Sequence, residues 1–550
     1  MISHRERSSL AAFVLCVFLP SLAQGADYGV VANGIWSNPA IWTPAGGPPT
    51  TGDNVYIGTG FPIPAIVPAA VQLDSDESTA FVNIGNGSLN LMGHGLKANA
   101  LLMDSTNGLA SFQKSGGNTD LGLILLFGGS TFSVDADDQL AFSASVDGVG
   151  SSLSLNRPLS LADGLAVVDG GAVASTASLE LLGFGLQISG GTVNAGGNIT
   201  AGSTFYGVGV TTGGVLNLGG NTLTAGVLYL GAGTYQVVGG PATLIRGTGG
   251  NLQLGSIDVN SGNYFSLEAV DSVSTAIRVS DSGSTLALNR DVAISDAIVV
   301  LNQGTLDVGT HTLSSPEPVS LSTGGRVIGA GDLEASVANE SGIVAPGNGI
   351  GKLNIVGAFH QLAGGRLEIE LGGTDNSNSI PEFDQLIVDG EAAIDGQLVV
   401  SLVAGFVPVL GDEFSILTAT GGIQSAFGSE SLPALASGLT WQVDRNDSQV
   451  FLLRVASAFA GDYNLNGIVD AADYTIWRDT FGQVGPDLAA DGNGNGEIDS
   501  GDYEVWKQNF GLNNGPGSGA SLSASRVPEP TIFLSLPFGL FPISTWRKAR

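Results

Sequence analysis

Oxygen-bearing side chains recur in strict register near the C-terminal end of the chain. Two loops carry Asp, Asn, Asn, Asp and Asp at positions 1, 3, 5, 9 and 12, glycine at position 6 and a backbone carbonyl at position 7. The predicted ligands are Asp462, Asn464, Asn466, Ile468, Asp470 and Asp473 in the first loop, and Asp491, Asn493, Asn495, Glu497, Asp499 and Asp502 in the second. Calcium binds about six to eight such oxygens in a flexible geometry. The spacing therefore predicts two Ca2+ sites.

Each loop is followed by a predicted helix with one aromatic face. The aromatic residues are spaced i, i+3 and i+7 in both repeats: Tyr474, Trp477 and Phe481 in the first, and Tyr503, Trp506 and Phe510 in the second. No amphipathic helix leads into Asp462, so only half of an EF-hand is present. A duplicated unit of one loop and one helix resembles the type I dockerin module, and residues 461–511 contain both repeats.

This resemblance implies a fold and a partner. In dockerins the two helices pack antiparallel, calcium holds the fold together, and one helix face docks onto a cohesin domain. The positions that select the partner are Ala471-Ala472 and Ser500-Gly501 here, and they offer almost no hydrogen-bonding capacity. Two roles therefore stay open, docking onto a cohesin-like protein or a calcium-locked intramolecular clip. Two short helices bury little apolar surface, so we expect folding to depend on the metal.

The N-terminal segment predicts export. Residues 1–25 contain a charged start, an apolar run from Leu10 to Leu19 and small residues suited to cleavage, which is typical of a signal peptide. The single cysteine of the chain, Cys16, lies inside this run. After cleavage the mature chain would therefore have no disulfide.

The C-terminal segment predicts sorting at the cell surface. Residues 527–550 begin with Val-Pro-Glu-Pro, continue with an apolar stretch and end in Arg-Lys-Ala-Arg. This order resembles the PEP-CTERM signal of Gram-negative and related bacteria, which implies processing by exosortase. A permanent tail anchor is the alternative, although 16 apolar residues from 531 to 546 are few for a membrane-spanning helix, which needs about 20. Residues 512–526 read as a flexible linker.

The large middle of the chain predicts a parallel β-solenoid. The chain has 83 glycines and only 13% charged residues, and apolar residues alternate in short groups with Gly, Ser, Thr and Asn. A frame of Gly-x-Leu-x-(Leu/Val) followed by another Leu starts at Gly87, Gly214 and Gly304. A longer repeat relates residues 151–157 to residues 284–290, 133 positions apart. Period-two alternation with small corner residues favours stacked rungs over residues 26–334. A row of β-sandwiches is the alternative.

Both ends of the middle region have distinct patterns. The segment containing Trp36 and Trp42 resembles the N-terminal rung of secreted bacterial solenoids, and we expect its tryptophans to cover the open end of the stack rather than to bind a carbohydrate. Residues 342–353 resemble the last rungs of autotransporter-like passengers. Cleanly alternating strands follow and predict a closing β segment at 335–456.

Catalytic residues are hard to find in this region. Solenoids host polysaccharide lyases and glycoside hydrolases, which need a basic residue or two carboxylates. Glu368 and Glu370 share one predicted strand face, but an exposed face gives the same pattern. Arg157 and Arg290 occupy equivalent repeat positions, which favours a structural role. We therefore expect no enzymatic activity, with an extracellular polysaccharide-degrading enzyme that carries a dockerin as the alternative.

Charge and organisation together give a functional hypothesis. A net charge of −31 excludes nucleic-acid binding. The sequence predicts a secreted or cell-surface protein of a planctomycete-like bacterium, with a structural or adhesive role in the extracellular matrix. Its expected partners are a cohesin-like protein, polysaccharide or matrix, and an exosortase-type processing enzyme.

Overall fold

The computed structural model describes residues 25–45, 47–58, 68–106, 108–202, 207–211, 213–231, 242–245, 248–378, 380–436, 439–446, 449–485 and 488–513. It is mainly β, with 50% strand and 5% helix, and it contains a parallel β-solenoid of about 13 turns followed by two helices. The predicted fold class is therefore confirmed. Residues 1–24, most of the linker and the predicted sorting signal at 527–550 lie outside the described residues. Within the described part of the chain, no helix has the length and apolar character needed to cross a membrane.

Contacts divide the chain into two compact units. The first unit comprises Met1–Phe406, Phe414–Pro433 and Arg445–Leu452, and the second comprises Val407–Glu413, Ala434–Asp444 and Leu453–Arg550. The first unit contains most of the solenoid, whereas the second contains both calcium-type loops.

One sheet of 22 strands follows the solenoid from its first rung to its last. Its strands are Asp27–Val30, Trp42–Thr43, Asn54–Ile57, Glu77–Ile84, Leu96–Asp104, Thr119–Phe127, Gln139–Asp147, Leu159–Leu161, Gly164–Val168, Leu179–Leu181, Gly185–Ser189, Ile199–Ala201, Val208–Thr211, Thr222–Leu230, Asn251–Val259, Ser272–Ser280, Ile298–Leu301, Val319–Leu321, Val337–Asn339, Phe359–Gln361, Ala392–Ala393 and Ile423–Gln424. Successive rungs pair in parallel, for example Leu101 with Ile124. This pairing contradicts the alternative of β-sandwich domains.

Three shorter sheets follow one another along the chain. The first has Gly34–Ile35, Ala69–Gln72, Gly87–Asn90 and Ala110–Gln113; the second has Thr131–Val134, Ser152–Leu155, Ala172–Ser175, Thr192–Ala195, Val215–Asn217 and Thr243–Ile245. The third has Tyr264–Leu267, Thr285–Leu288, Thr305–Asp307, Arg326–Gly329, Ile343–Pro346, Arg366–Leu371, Gln397–Leu402 and Ser429–Ser431. Parallel pairing thus continues past residue 334, and the strands of the predicted closing segment up to Ser431 are further rungs.

The remaining strands belong to the C-terminal half of the solenoid and to the region that follows it. They are Val292–Ala293, Thr312–Ser314, Asp332–Glu334, Lys352–Ile355, Gln385–Val388, Glu413–Ala419, Leu439–Asn446 and Val450–Ser457. A short 3-10 helix, Pro39–Ile41, lies in the first rung. The two α-helices are α1, Ala471–Thr480, and α2, Ser500–Asn509.

The core of the solenoid is a set of in-register apolar ladders. One ladder contains Phe132, Leu153, Val173, Val193 and Leu216, which are partners in successive strands and are all buried. Each inward residue is separated from the next by one outward residue, as the period of two requires. Parallel stacking therefore converts the alternation of the sequence into a continuous apolar interior.

Glycine begins the repeated frame because the rungs approach closely there. A Cβ atom on Gly304 would lie 2.8 Å from the carbonyl oxygen of Val279 in the preceding rung. The following apolar positions, Leu306, Val308 and Leu313, are fully buried. The frame thus combines one close backbone contact with three core residues.

The arginine of the long repeat makes the same side-chain contacts in both copies. The guanidinium of Arg157 donates to the carbonyl oxygens of Ala136 and Asp138, and that of Arg290 donates to those of Ala269 and Asp271. Each acceptor is separated from its counterpart by the same offset as the two arginines. Both arginines therefore join neighbouring rungs, which agrees with the structural role expected for them.

Two tryptophans pack in the first rungs. Trp36 and Trp42 are both buried, with ring centroids 5.0 Å apart in an edge-to-face arrangement. The indole nitrogen of Trp42 donates to the carbonyl oxygen of Trp36 at 2.8 Å. Their burial confirms the packing role and leaves no ring face for a carbohydrate.

Candidate metal centre

Both helices begin inside the calcium-type loops. Asp470 is the N-cap of α1 and its side chain accepts from the backbone N–H of Ala472 at 2.7 Å; Asp499 caps α2 in the same way through Gly501 at 2.6 Å. Such carboxylates satisfy free N–H groups and interact favourably with the positive end of the helix. Position 9 of each loop is therefore fixed as a cap.

The first loop is held in its curved form by its own side chains. Asp462 accepts from the N–H groups of Asn466 and Gly467 at 3.1 and 2.7 Å. Asp473 accepts from Asn464 at 2.9 Å and from Asp470 at 2.8 Å, so position 12 closes the loop over positions 3 and 9. The amide oxygens of Asn464 and Asn466 each accept from the backbone two residues on.

The second loop repeats this network. Asp491 accepts from Asn495 and Gly496 at 3.1 and 2.7 Å, and Asp502 accepts from Asn493 and Asp499 at 3.0 and 2.7 Å. The oxygens of Asn493 and Asn495 accept from the residues two positions on. The matching distances show that the sequence register reflects one shared loop conformation.

The electrostatics of the loops fit a cation. Asp462, Asp473 and Asp502 are buried. Burial raises the pKa of Asp473, and the neighbouring charges of Asp462 and Asp470 raise this pKa further. A buried carboxylate needs a counter-charge.

The basic residues of the module do not supply that counter-charge. Residues 461–513 contain ten acidic residues, whereas Arg478 and Lys507 are the only basic ones. Both basic residues pair with helix carboxylates, Asp479 at 2.7 Å and Glu504 at 3.3 Å. The donor set and the uncompensated charge therefore suit a divalent cation.

The carboxylates alone do not form a metal cluster. Among the described residues, no three His, Cys, Asp or Glu side chains are placed so that they could hold a metal ion. The predicted ligand set also includes the amide oxygens of positions 3 and 5 and the carbonyls of Ile468 and Glu497, which are not side chains of those four types. Calcium binding therefore stays a prediction, supported by loop conformation and charge.

The aromatic faces of the two helices meet each other. Tyr474 lies 5.2 Å from Trp506, and Tyr503 lies 5.1 Å from Trp477, measured between ring centroids. Trp477 Nε1 donates to the carbonyl oxygen of Asp499 at 2.7 Å, and Trp506 Nε1 donates to that of Asp470 at 2.8 Å. The N-terminus of each helix thus lies beside the tryptophan of the other, so the helices run antiparallel.

Backbone pairing also crosses between the repeats. Val469, at position 8 of the first loop, donates to Leu512 at 2.9 Å and accepts from Gly511 at 2.8 Å. Ile498, its equivalent in the second loop, donates to Gln483 and accepts from Gly482 at 2.9 and 2.8 Å. Each loop is therefore bonded to the segment that follows the other helix.

These crossed contacts were not predicted from the sequence. Val469 and Ile498 are separated by the same offset as the two ligand sets, and so are Gly482 and Gly511. That recurrence was a usable signal, because it marks positions outside the ligand set that both repeats share. Tyr463 was also missed; it is buried and its hydroxyl donates to the carbonyl oxygen of Asp502 at 2.6 Å.

The carboxylates considered for catalysis have structural partners. Glu368 accepts from Arg326 and from Arg366, the latter at 3.3 Å, so it is held by two guanidinium groups rather than by a proton shared with Glu370. Asp384 is buried and accepts from the N–H groups of Gly351 at 2.8 Å and Glu370 at 2.7 Å. The Gly351 contact joins neighbouring rungs, and the Arg326 contact reaches across two.

His94 and His311 lie in equivalent turns. The backbone N–H of His94 donates to Leu91 and that of His311 donates to Val308, at 2.8 and 3.0 Å. Both histidines occupy the same position of the repeated frame, seven residues after its glycine.

Comparison with known proteins assigns the chain to no family. No family model matches the sequence, and no curated protein matches it.

Proposed function

We propose that the protein is an exported structural or adhesive component of the cell surface or extracellular matrix, with a calcium-dependent dockerin-like module of residues 461–511. One observation carries this proposal: two loops of identical hydrogen-bonding pattern enclose buried aspartates that have no basic partner among the residues that the structure describes. When bound, a calcium ion supplies the charge that these carboxylates need.

The ligands would come from both side chains and backbone. Asp462, Asn464, Asn466, Asp470 and Asp473 would hold one ion together with the carbonyl of residue 468. The second ion would be held by the corresponding set, which is Asp491, Asn493, Asn495, Asp499 and Asp502 with the carbonyl of residue 497. Because two short helices share a small aromatic core, metal binding and ordering of the module are expected to occur together.

A spacer role for the solenoid is supported by how its titratable groups are used. Arg157, Arg290 and Asp384 each bond to a neighbouring rung, and Glu368 accepts from Arg326 two rungs away. A stack built this way gains stability from each interface between neighbouring rungs. The solenoid would act as the spacer of the exported chain.

The remaining partners follow from the resemblance to dockerins and to PEP-CTERM proteins. An exosortase-type enzyme would process residues 527–550, and a cohesin-like protein, polysaccharide or matrix component would bind the exported chain. Pull-down from an extracellular fraction, with calcium and with EDTA, separates docking from an intramolecular clip. Calcium-dependent capture of a partner supports docking, whereas a calcium-loaded module that captures none supports the clip.

Calcium titration of the full chain tests the central claim. Isothermal titration should show two equivalents of calcium, and near-ultraviolet circular dichroism should show ordering of the aromatic cluster. Asp462→Ala and Asp491→Ala should each remove about one equivalent, because each deletes a position-1 ligand. Lys507→Gln, on the surface of α2, is the matched control and should keep both. Binding of no calcium by the native chain would refute the proposal.

A further inference from the structure

The two tryptophans of the module contact the opposite loop at one equivalent atom. Trp506, in the second repeat, donates to the carbonyl oxygen of Asp470 in the first loop. Trp477, in the first repeat, donates to the carbonyl oxygen of Asp499 in the second loop. Both acceptors are position 9, which is also the N-cap of the following helix.

We infer that Trp477 and Trp506 are positioning residues for calcium and that they act crosswise: Trp506 sets the affinity of the first loop, and Trp477 sets that of the second. The inference rests on the proposed calcium binding and adds which residues tune it. Neither tryptophan belongs to the predicted ligand set, so each acts only through the loop backbone.

The physical basis is preorganisation. The indole N–H of Trp506 fixes the peptide group that follows Asp470. The side chain of Asp470 is itself a predicted ligand, and Asp470 caps the helix that carries another predicted ligand, Asp473. That loop must otherwise be ordered against the repulsion between its own carboxylates. Partners that orient metal ligands from outside the ligand set typically change metal affinity by about 10- to 100-fold.

The crossed backbone hydrogen bonds also preorganise the two loops. Val469 is bonded to Gly511 and Leu512, directly beyond the helix that carries Trp506. Ile498 is bonded to Gly482 and Gln483, beyond the helix that carries Trp477. The indole and the backbone of one repeat therefore hold the same half of the other loop.

Indole N–H exchange tests the inference without changing either tryptophan. The chain has six tryptophans, so the full-length protein labelled with 15N in its indoles gives few signals, and Trp477→Phe and Trp506→Phe assign the two of interest. In the calcium-loaded native protein both indole N–H groups should be protected from exchange with solvent. Asp462→Ala should release the Trp506 indole and leave Trp477 protected, and Asp491→Ala should do the reverse. Simultaneous release of both, or release of the tryptophan in the same repeat, overturns the inference.

Affinity measurement with an isostere gives a second test. β-(3-benzothienyl)alanine keeps the bicyclic shape of tryptophan but lacks the N–H donor. In the full-length Asp491→Ala protein, this isostere at position 506 should weaken calcium binding at the remaining loop about tenfold, whereas at position 477 it should change the affinity by less than about twofold. Tyr503→Phe is the control and should have no effect. Equal weakening by both isosteres overturns the inference, whereas a native protein that binds no calcium refutes the proposed function itself.

Discussion

The ring of Tyr463 fills the space that a side chain at residue 492 would need. A Cβ atom on Gly492 would lie 2.5 Å from Tyr463 Oη, and the same hydroxyl donates to the carbonyl oxygen of Asp502 at 2.6 Å. These residues are equivalent in the two repeats, since each follows the position-1 aspartate. At this position the two repeats differ, and the side chain of Tyr463 occupies the space on behalf of both.

Gly492→Ala should destabilise the calcium-loaded module by more than Tyr463→Phe does. The alanine methyl group would displace the phenol ring, and an overpacked core typically costs about 1–3 kcal/mol. Tyr463→Phe removes one hydrogen bond to a carbonyl that also lies within the helix, at a cost of about 1 kcal/mol. Urea unfolding followed by tryptophan fluorescence measures both. A smaller cost of Gly492→Ala in the Tyr463→Phe background, which lacks the Oη atom that the methyl group meets, would confirm the steric cause, and an unchanged Gly492→Ala would contradict it.

Arg157 and Arg290 should make equal contributions to the solenoid. Each guanidinium binds two carbonyl groups of a neighbouring rung, and lysine lacks that planar fork. Arg157→Lys and Arg290→Lys should each lower the free energy of unfolding by about 1–3 kcal/mol. Thermal unfolding followed by far-ultraviolet circular dichroism provides the measurement.

Lys97→Gln is a suitable control for these arginines. Lys97 pairs with Asp120 on the surface, and exposed ion pairs contribute about 0–1 kcal/mol. An effect of Arg157→Lys no larger than that of Lys97→Gln would show that the repeated contact carries no stability.

Stability of the solenoid should fall as pH rises from 5 to 9. Burial, with a contribution from the charge of Glu370, raises the pKa of Asp384 to about 8 in the folded chain. In the unfolded chain this pKa is near the usual value of about 4. The stabilisation is fully present below about pH 4 and is lost as pH rises through about 8, because the folded state binds the extra proton between these values.

The slope of this dependence identifies its source. One proton corresponds to at most about 1.4 kcal/mol per pH unit. Asp384→Asn should lower stability at every pH, since its NH2 group would face a backbone N–H, but it should flatten the dependence between pH 5 and 8. Urea unfolding over that range gives the slope, and an unchanged slope in the variant would exclude Asp384.

Trp36→Ala should strongly destabilise the first rungs. The ring is fully buried against Trp42, and removing a buried aromatic side chain typically costs about 3–5 kcal/mol. Leu109→Ala, on a side chain that is 75% exposed, should cost much less and serves as the control. Hydrogen exchange of strand Asn54–Ile57 would report the local effect. Equal protection in both variants would contradict a capping role.

The solenoid could be predicted because its rules are local. Period-two alternation around Leu153 and the recurring glycine frame each specify a strand and a corner, and stacking repeats them. For Arg157 and Arg290, the sequence predicted only that both have a structural role. Which carbonyls they bind depends on the preceding rung, which is too distant along the chain for a local pattern to specify.

The contacts inside the module could be predicted from the sequence only in part. The loop residues and the aromatic faces could be identified from spacing alone, since chemistry dictates their order. The crossed bonds of Val469 and Trp506 depend on how the two helices meet, which spacing along the chain does not specify. The contact between Tyr463 and Gly492 could not be predicted either, because these positions differ between the repeats and meet only when the two repeats pack together.

The duplicated arginine contacts have a consequence for how such a chain can change length. The arginine contacts recur 133 positions apart with acceptors of the same residue type, so adding or removing that whole set of rungs would leave the contacts on either side intact. The solenoid could then lengthen or shorten by whole sets of rungs. The distance between its two ends would change, whereas the residues at those ends would stay the same.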